Sequence, residues 1–328
     1  MANSHPENAG FAKPWQEFIA EFGGAPLLHG PLENAFKDWD ELLSKLVAKY
    51  DFPGPDTSVE VKDLQINDHG LTCRVYKPLN ALGTGSLGLY FHGGGWAMGD
   101  LNGEDAQCRL ISKQCNMVLV SVDYRLSPKH KYPAALDDCT EAAKWALSSQ
   151  RTLGTNDAPI TLIGGSAGGG LAFSTALRLI DDGLAAQVAG VAAMVPVTVH
   201  PDAVPSDLKA KYTSYEEHAE HTVNTKSAME AFFDAYGAPP DDKYTSCLLH
   251  PNLMKLRRAY IVECGTDTLR DDSRLMREKL ESLNIPVKYD SYPGYPHYSW
   301  TFPSKALEEH QKDFSGNLVQ GVNWVCKA

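Results

Sequence analysis

Apolar positions in this chain fall into short unbroken runs, separated by longer stretches in which they recur every three or four residues. Runs at 59–66 and 71–76 flank Asp68, His69 and Gly70 and predict an antiparallel hairpin. Further runs follow at 87–91, 117–124, 160–163, 188–195, 260–264 and 287–292, and helix-periodic segments separate most of them. Near-continuous apolar strands alternating with helices predict an α/β fold: a mostly parallel eight-stranded sheet flanked by helices, with right-handed crossovers and its functional groups at the carboxyl ends of the strands. Two segments stand outside the alternation. Residues 1–50 carry amphipathic stretches at 15–22 and 36–50, and 198–244 is a long insertion with Met229, Phe232, Phe233 and Tyr236 at helical spacing. The expectation is one domain over 1–328, with these two segments as a helical cap or lid, against the plainer alternative of surface helices packed on the sheet.

Candidate chemistry sits at the strand ends. Gly164-Gly165-Ser166-Ala167-Gly168 follows the run at 160–163 and precedes a helical segment at 171–180, which makes Ser166 the tip of a sharp strand-to-helix turn. Glycines at 164 and 168 are expected because a Cβ there would strike strand or helix. Upstream, the run at 87–91 enters His92-Gly93-Gly94-Gly95-Trp96, where side-chain-free residues let backbone N–H groups approach a developing oxyanion, together with the amide of Ala167. A nucleophilic serine needs a base and the base needs an orienting acid. Asp267, after the run at 260–264, and His297, after the run at 287–292, fit in order and position. Asp271 and Asp272 read as first-turn charges of the next helix, and His310, beside Glu308 and Glu309, reads as part of a solvated helical face. His218 and His221 have helical i, i+3 spacing, but no third ligand is evident, so no metal is expected. Asp123 and Arg125 are expected to pair and brace the loop beside the glycines, with Pro128 and Pro133 stiffening the entry to the next helix.

Composition narrows the partners. A net charge of −11 with no run of Lys and Arg argues against nucleic acid or an anionic membrane, and favours a neutral or apolar small-molecule substrate. The seven cysteines have no paired spacing and several fall in apolar segments, which favours a reducing compartment. The polar start Met1–Asn8 is followed by no signal-like apolar region, so a cytoplasmic location without membrane insertion is expected. No cofactor is implied. Monomer and homodimer both stay open.

His92–Trp96, the block Asp123-Tyr124-Arg125-Leu126-Ser127-Pro128 with its continuation to Ala135, the Gly164–Gly169 turn, Asp267 and His297 together resemble the hormone-sensitive-lipase branch of the α/β-hydrolases, from about residue 59 onward. The resemblance implies a carboxylesterase acting on short to medium acyl esters through an acyl-enzyme. It implies Ser166 as nucleophile, His297 as base and acid, Asp267 as its orienter, and an oxyanion hole from Gly93, Gly94, Gly95 and Ala167. Three positions depart from the family pattern: Gly165 replaces the usual Asp before the serine, Thr268 replaces the Pro after the acid, and Tyr298-Ser299-Trp300 follows the histidine. These bear on pocket shape, for which Trp96, Tyr298, Trp300, Phe232 and Phe233 are candidates; Trp96, Tyr298 and Trp300 would favour flat, aromatic or polyketide-like esters. Alternatives are a lactonase, an acyltransferase or a lyase/cyclase of specialised metabolites. A non-catalytic small-molecule receptor is disfavoured by the intact Ser, Asp and His.

Overall fold

The computed structural model describes residues 10–79, 85–155 and 157–327. The first nine positions of the expected cap segment lie outside them. Eight strands form one sheet: β1 (Val59–Gln65), β2 (Thr72–Pro78), β3 (Ser86–Phe91), β4 (Met117–Val122), β5 (Ile160–Gly165), β6 (Val188–Met194), β7 (Ala259–Cys264) and β8 (Val287–Tyr292). Their spatial order is β1-β2-β4-β3-β5-β6-β7-β8. β1 and β2 form the antiparallel hairpin, β2 also runs antiparallel to β4, and every later pairing is parallel.

Strands β4, β5, β6 and β7 are buried along their whole length because helices cover both faces of the sheet, which is why they read as unbroken apolar runs. The run at 287–292 reads as another buried strand, and here the structure differs. β8 pairs only with β7 and is half-buried over most of its length, so Lys288 and Asp290 are tolerated on an edge that one neighbour leaves open.

The helices are α1 (Lys13–Phe22), α2 (Leu32–Lys49), α3 (Asp105–Gln114), α4 (Ala134–Ser148), α5 (Gln150–Leu153), α6 (Ala167–Asp181), α7 (Ser214–Glu217), α8 (Lys226–Tyr236), α9 (Arg270–Ser282) and α10 (Glu308–Cys326). α3 and α10 pack together on one face of the sheet over Tyr90, Ile111, Met117, Phe314 and Leu318. α4, α6 and α9 share the other, larger core with β3 to β7. Each fully buried Leu, Ile or Phe contributes roughly 1.5–3 kcal/mol relative to exposure.

The N-terminal segment and the insertion after β6 meet each other. Leu28 N–H donates to Val223 O at 2.7 Å, Thr225 Oγ1 donates to Leu28 O at 2.6 Å, and Gly30 N–H donates to Ser227 Oγ at 3.1 Å. Trp15 and Phe18 of α1 pack on Phe302, with ring centroids 5.2 and 5.0 Å away. α7 ends at Glu217, so His218 and His221 lie in the turn beyond it and not on one helix face.

Candidate active site

Ser166 joins β5 to α6 with φ 54° and ψ −124°, a conformation that costs a non-glycine residue about 1–3 kcal/mol and persists only where the surroundings enforce it. Those surroundings are backbone. Ser166 N–H donates to Met194 O at 2.8 Å, while Ser166 O accepts from Gly170 N–H at 3.0 Å and Val197 N–H at 3.2 Å. Gly168 lies against the carbonyls of Phe91 and His92 so closely that a Cβ would overlap them, which seats the turn beside the glycine loop after β3.

Asp267 follows β7 and His297 follows β8, and both side chains are buried. His297 Nδ1 stands 2.7 Å from Asp267 Oδ2, and His297 Nε2 stands 3.0 Å from Ser166 Oγ. A carboxylate only accepts, so Nδ1 carries the proton and Nε2 is left to accept from the serine hydroxyl. Asp267 Oδ1 also accepts from Leu269 N–H at 3.0 Å. Such a row can withdraw the serine proton as a bond forms at Oγ and return it to a leaving group. The amide of Ala167 opens α6, where it has no acceptor within the helix.

In the glycine loop, His92 Nδ1–H donates to Gly93 O at 2.7 Å, and burial pushes this imidazole down to about 4. Tyr124 stacks on the ring at 4.1 Å and donates its hydroxyl to His92 O at 2.8 Å. Ser127 holds the far end, its N–H and Oγ donating to Trp96 O at 2.9 and 3.0 Å. Gly93 departs from expectation: its N–H donates to Glu104 Oε1 at 2.8 Å and is not open to a ligand. Among the described residues the amides of Gly94 and Gly95 have no acceptor.

A family model described as the alpha/beta hydrolase fold matches residues 88–301, well over half of the chain. The chain belongs to the α/β-hydrolase fold family. It is 52% identical, over 96% of its own length and 98% of the relative's, to a versiconal hemiacetal acetate esterase of Aspergillus parasiticus. It is also 48% identical over 90% of its length to an FAD-linked oxidoreductase, pytB, of Aspergillus terreus, of which it spans 36%. Among solved structures, a vibralactone cyclase superposes with a TM-score of 0.86 at 26% identity, covering 97% of this chain and 95% of that one. This α/β-hydrolase is an ester-cleaving serine hydrolase of the carboxylesterase type.

The other sequence candidates divide by position. Phe232 of α8 lies with its ring against Gly95, where a Cβ would overlap it. Trp96 stacks on Tyr236 at 4.4 Å and touches Phe233 at 5.4 Å, so α8 sits directly on the glycine loop. Tyr298 and Trp300 do not join them. Trp300 is sandwiched between Tyr298 and Phe314, at 5.0 and 3.9 Å, in the core shared with α3 and α10, because its large ring fills the gap between α10 and the loop after β8. Tyr298, left-handed at φ 56°, sends its hydroxyl under Gly165 to Glu104 Oε1 at 3.2 Å. A side chain at 165 would occupy the space of that hydroxyl, which explains why this hydrolase has glycine there.

Four further expectations are corrected by contacts distant in sequence. Arg125 pairs not with Asp123 but with the buried Asp138 of α4, at 2.7 Å. Asp271 and Asp272 do more than favour the N-terminus of α9. Asp272 accepts from Thr198 N–H at 2.7 Å, Val199 N–H at 3.1 Å and Tyr212 Oη at 2.9 Å, while Asp271 accepts from the Thr213 and Ser214 amides at 2.7 and 2.8 Å. They anchor the insertion. His310 is buried, not solvated: its ring lies on Tyr295 at 3.7 Å and its Nε2 is 2.8 Å from Ser299 Oγ, so it grips the loop two residues to either side of His297. Thr268 donates to Asn224 O at 3.0 Å, tying the Asp267 turn to the insertion.

Glu104 carried no signal in the sequence. It is half-buried as a residue, accepts from Gly93 N–H, Tyr90 Oη and Tyr298 Oη, and the desolvation of its carboxyl raises it above the ordinary carboxylate range while those donors oppose the rise.

Proposed function

We propose that the protein hydrolyses a short-acyl, acetate-type ester of a neutral small molecule, with Ser166 as nucleophile, His297 as general base and acid, and Asp267 as its orienter. The observation that carries this is the unbroken row from Asp267 Oδ2 through His297 to Ser166 Oγ, at 2.7 and 3.0 Å, on a serine held at positive φ. As Oγ attacks the ester carbonyl, His297 Nε2 takes its proton, and the carbonyl oxygen becomes an oxyanion facing the amides of Gly94, Gly95 and Ala167. The C–O bond to the alcohol then breaks, with His297 returning the proton to the leaving oxygen. Water repeats the sequence on the acyl-serine and releases the acid. Each oxyanion donor contributes about 3–4 kcal/mol of transition-state stabilisation.

The acyl preference is supported by the acetate esterase of Aspergillus parasiticus and by Phe232 set against Gly95. The N-terminal segment and 198–244 are proposed as the cap, supported by their mutual hydrogen bonds and by α8 above the glycine loop. Cytoplasmic residence belongs to the same reading, supported by seven free thiols of which all but Cys326 are buried. Among the described residues no helix is long and apolar enough to cross a membrane.

Hydrolysis of p-nitrophenyl esters from acetate to long acyl chains, by wild type and Ser166→Ala, tests the proposal. Fast acetate turnover that the variant loses by more than about 10³-fold is expected. Turnover retained by Ser166→Ala overturns the mechanism, and a preference for long chains overturns the substrate class.

A further inference from the structure

The candidate oxyanion donors sit in a stretch with almost no side chains of its own to hold it, and two of its glycines are left-handed, Gly94 at φ 112° and Gly95 at φ 57°. Something outside the loop must therefore fix the peptide planes that aim the two open amides. The His92–Gly93 peptide is held at both ends: its carbonyl accepts from Tyr124 Oη at 2.8 Å and its N–H donates to Glu104 Oε1 at 2.8 Å. The next peptide, whose N–H is the Gly94 amide, has its carbonyl fixed by His92 Nδ1 at 2.7 Å. Tyr124 and His92 act from one side, and Glu104 is the counterpart on the other.

Glu104 is itself tied to the rest of the site. Tyr298, the residue after His297, donates to the same Oε1 that Gly93 uses, and Tyr90, which accepts from Gln107 Nε2 at 2.6 Å, donates to Oε2. The hydroxyl of Tyr298 reaches this point only because Gly165, beside the nucleophile, has no Cβ. Glycine loop, nucleophile turn and histidine loop thus converge on one carboxyl, that of the half-buried Glu104. Two of the chain's departures from its family pattern, Gly165 and Tyr298, are two halves of that convergence.

We propose that Glu104 is the positioning residue of the oxyanion hole, setting the Gly94 and Gly95 amides relative to Ser166 by holding the Gly93 N–H from beneath. It touches neither substrate nor reacting atoms and acts through the loop. The proposal rests on the esterase reading above. It predicts a loss confined to the transition state, because a tilted amide binds the planar ester about as well as before and the tetrahedral oxyanion less well.

Steady-state kinetics on p-nitrophenyl acetate, with inhibition by an alkyl trifluoromethyl ketone as oxyanion mimic, test it on wild type, Ser166→Ala, Glu104→Ala, Glu104→Asp and Glu104→Gln. Glu104→Ala is expected to lower kcat by about 100-fold with KM within about threefold, and to weaken the ketone in proportion, the size expected of a displacement near 1 Å. Glu104→Gln, whose amide oxygen still accepts from Gly93, is expected to recover kcat to within about tenfold of wild type. Glu104→Asp, one methylene too short to reach Gly93, is expected to behave like Glu104→Ala, and carries the comparison if the alanine variant does not fold. A folded Ala or Asp variant with unchanged kcat, a loss confined to KM, or a folded Gln variant as slow as Asp overturns the positioning role. Absent turnover in wild type, or turnover kept by Ser166→Ala, removes the underlying esterase reading instead.

Discussion

At the scale of single residues, the site depends on one place where a side chain is missing. A Cβ on Gly165 would overlap the Tyr298 hydroxyl, which lies between the nucleophile turn and Glu104. Gly165→Ala is therefore expected to destabilise the fold by about 1–3 kcal/mol, the usual cost of forcing an extra methyl into a packed interior. It should also lower kcat on p-nitrophenyl acetate, because Tyr298 follows His297 directly and cannot move alone. Thermal melting and kinetics on the purified variant check both, and an unchanged melting temperature would show that Tyr298 has room to give way. The positions of Ser166 and Asp267 were legible in the sequence because each follows a strand whose burial leaves a continuous apolar run, whereas His297 follows the mixed edge strand β8 and was placed by its order along the chain. Glu104 and the true partner of Arg125 were not legible. Their roles come from contacts with Tyr298 and Asp138, and one-dimensional spacing holds no trace of which carboxyl a distant donor will meet.

At the scale of elements, α8 and α10 act on the site from different sides, α8 on the glycine loop and α10 on the loop that carries His297. The pattern Met229, Phe232, Phe233, Tyr236 correctly marked a helix, and α8 buries all four. What spacing left undecided was its target, the glycine loop, because periodicity gives a face and not what the face meets. Phe232→Ala removes the ring resting on Gly95. The expected outcome is slower acetate hydrolysis with a raised butyrate-to-acetate ratio of kcat/KM, and a chain-length profile identical to wild type would show that the ring does not bound the acyl side. α10 was under-read for a related reason: its first turn, with Glu308, Glu309 and Gln311, looks polar, yet His310 between them is buried against Tyr295. Glu308 and Glu309 face away and Gln311 turns back to donate to Phe302 O at 2.6 Å, so polar residues surround the buried His310 in sequence and nothing apolar beside it marks it. The edge strand β8 errs the other way, its apolar residues implying more burial than a strand with one partner receives.

At the scale of the whole molecule, buried titratable groups pull stability in opposite directions with pH. Burial pushes the Asp272 carboxyl up to about 7, whereas in an unfolded chain it titrates near about 3.9. The folded state thus keeps a proton that the unfolded state releases, and the stability this group contributes is full below about pH 4 and lost as pH rises to about 7. His92 and His310, pushed down to about 4 by burial, do the reverse: their contribution is full above about pH 6.5 and lost as pH falls toward 4. Asp272→Asn keeps an acceptor for the Thr198 and Val199 amides but cannot ionise. Calorimetric melting from about pH 4 to 8 should show the variant gaining on wild type as pH rises, and parallel curves would place the Asp272 proton elsewhere. The stitching of the N-terminal segment has a consequence in time. Leu28 and Gly30 bond to Val223, Thr225 and Ser227, and Ala12 N–H donates to Gly294 O at 2.8 Å, so this segment finds its partners only far downstream in the chain. Until Phe302 and its neighbours are in place, Trp15 and Phe18 lack the rings they dock on, so a folding chain carries them uncovered until then. The order of folding is thus set by distance along the chain: the sheet can assemble from its own strands, and the segment around α1 and α2 closes over it afterwards.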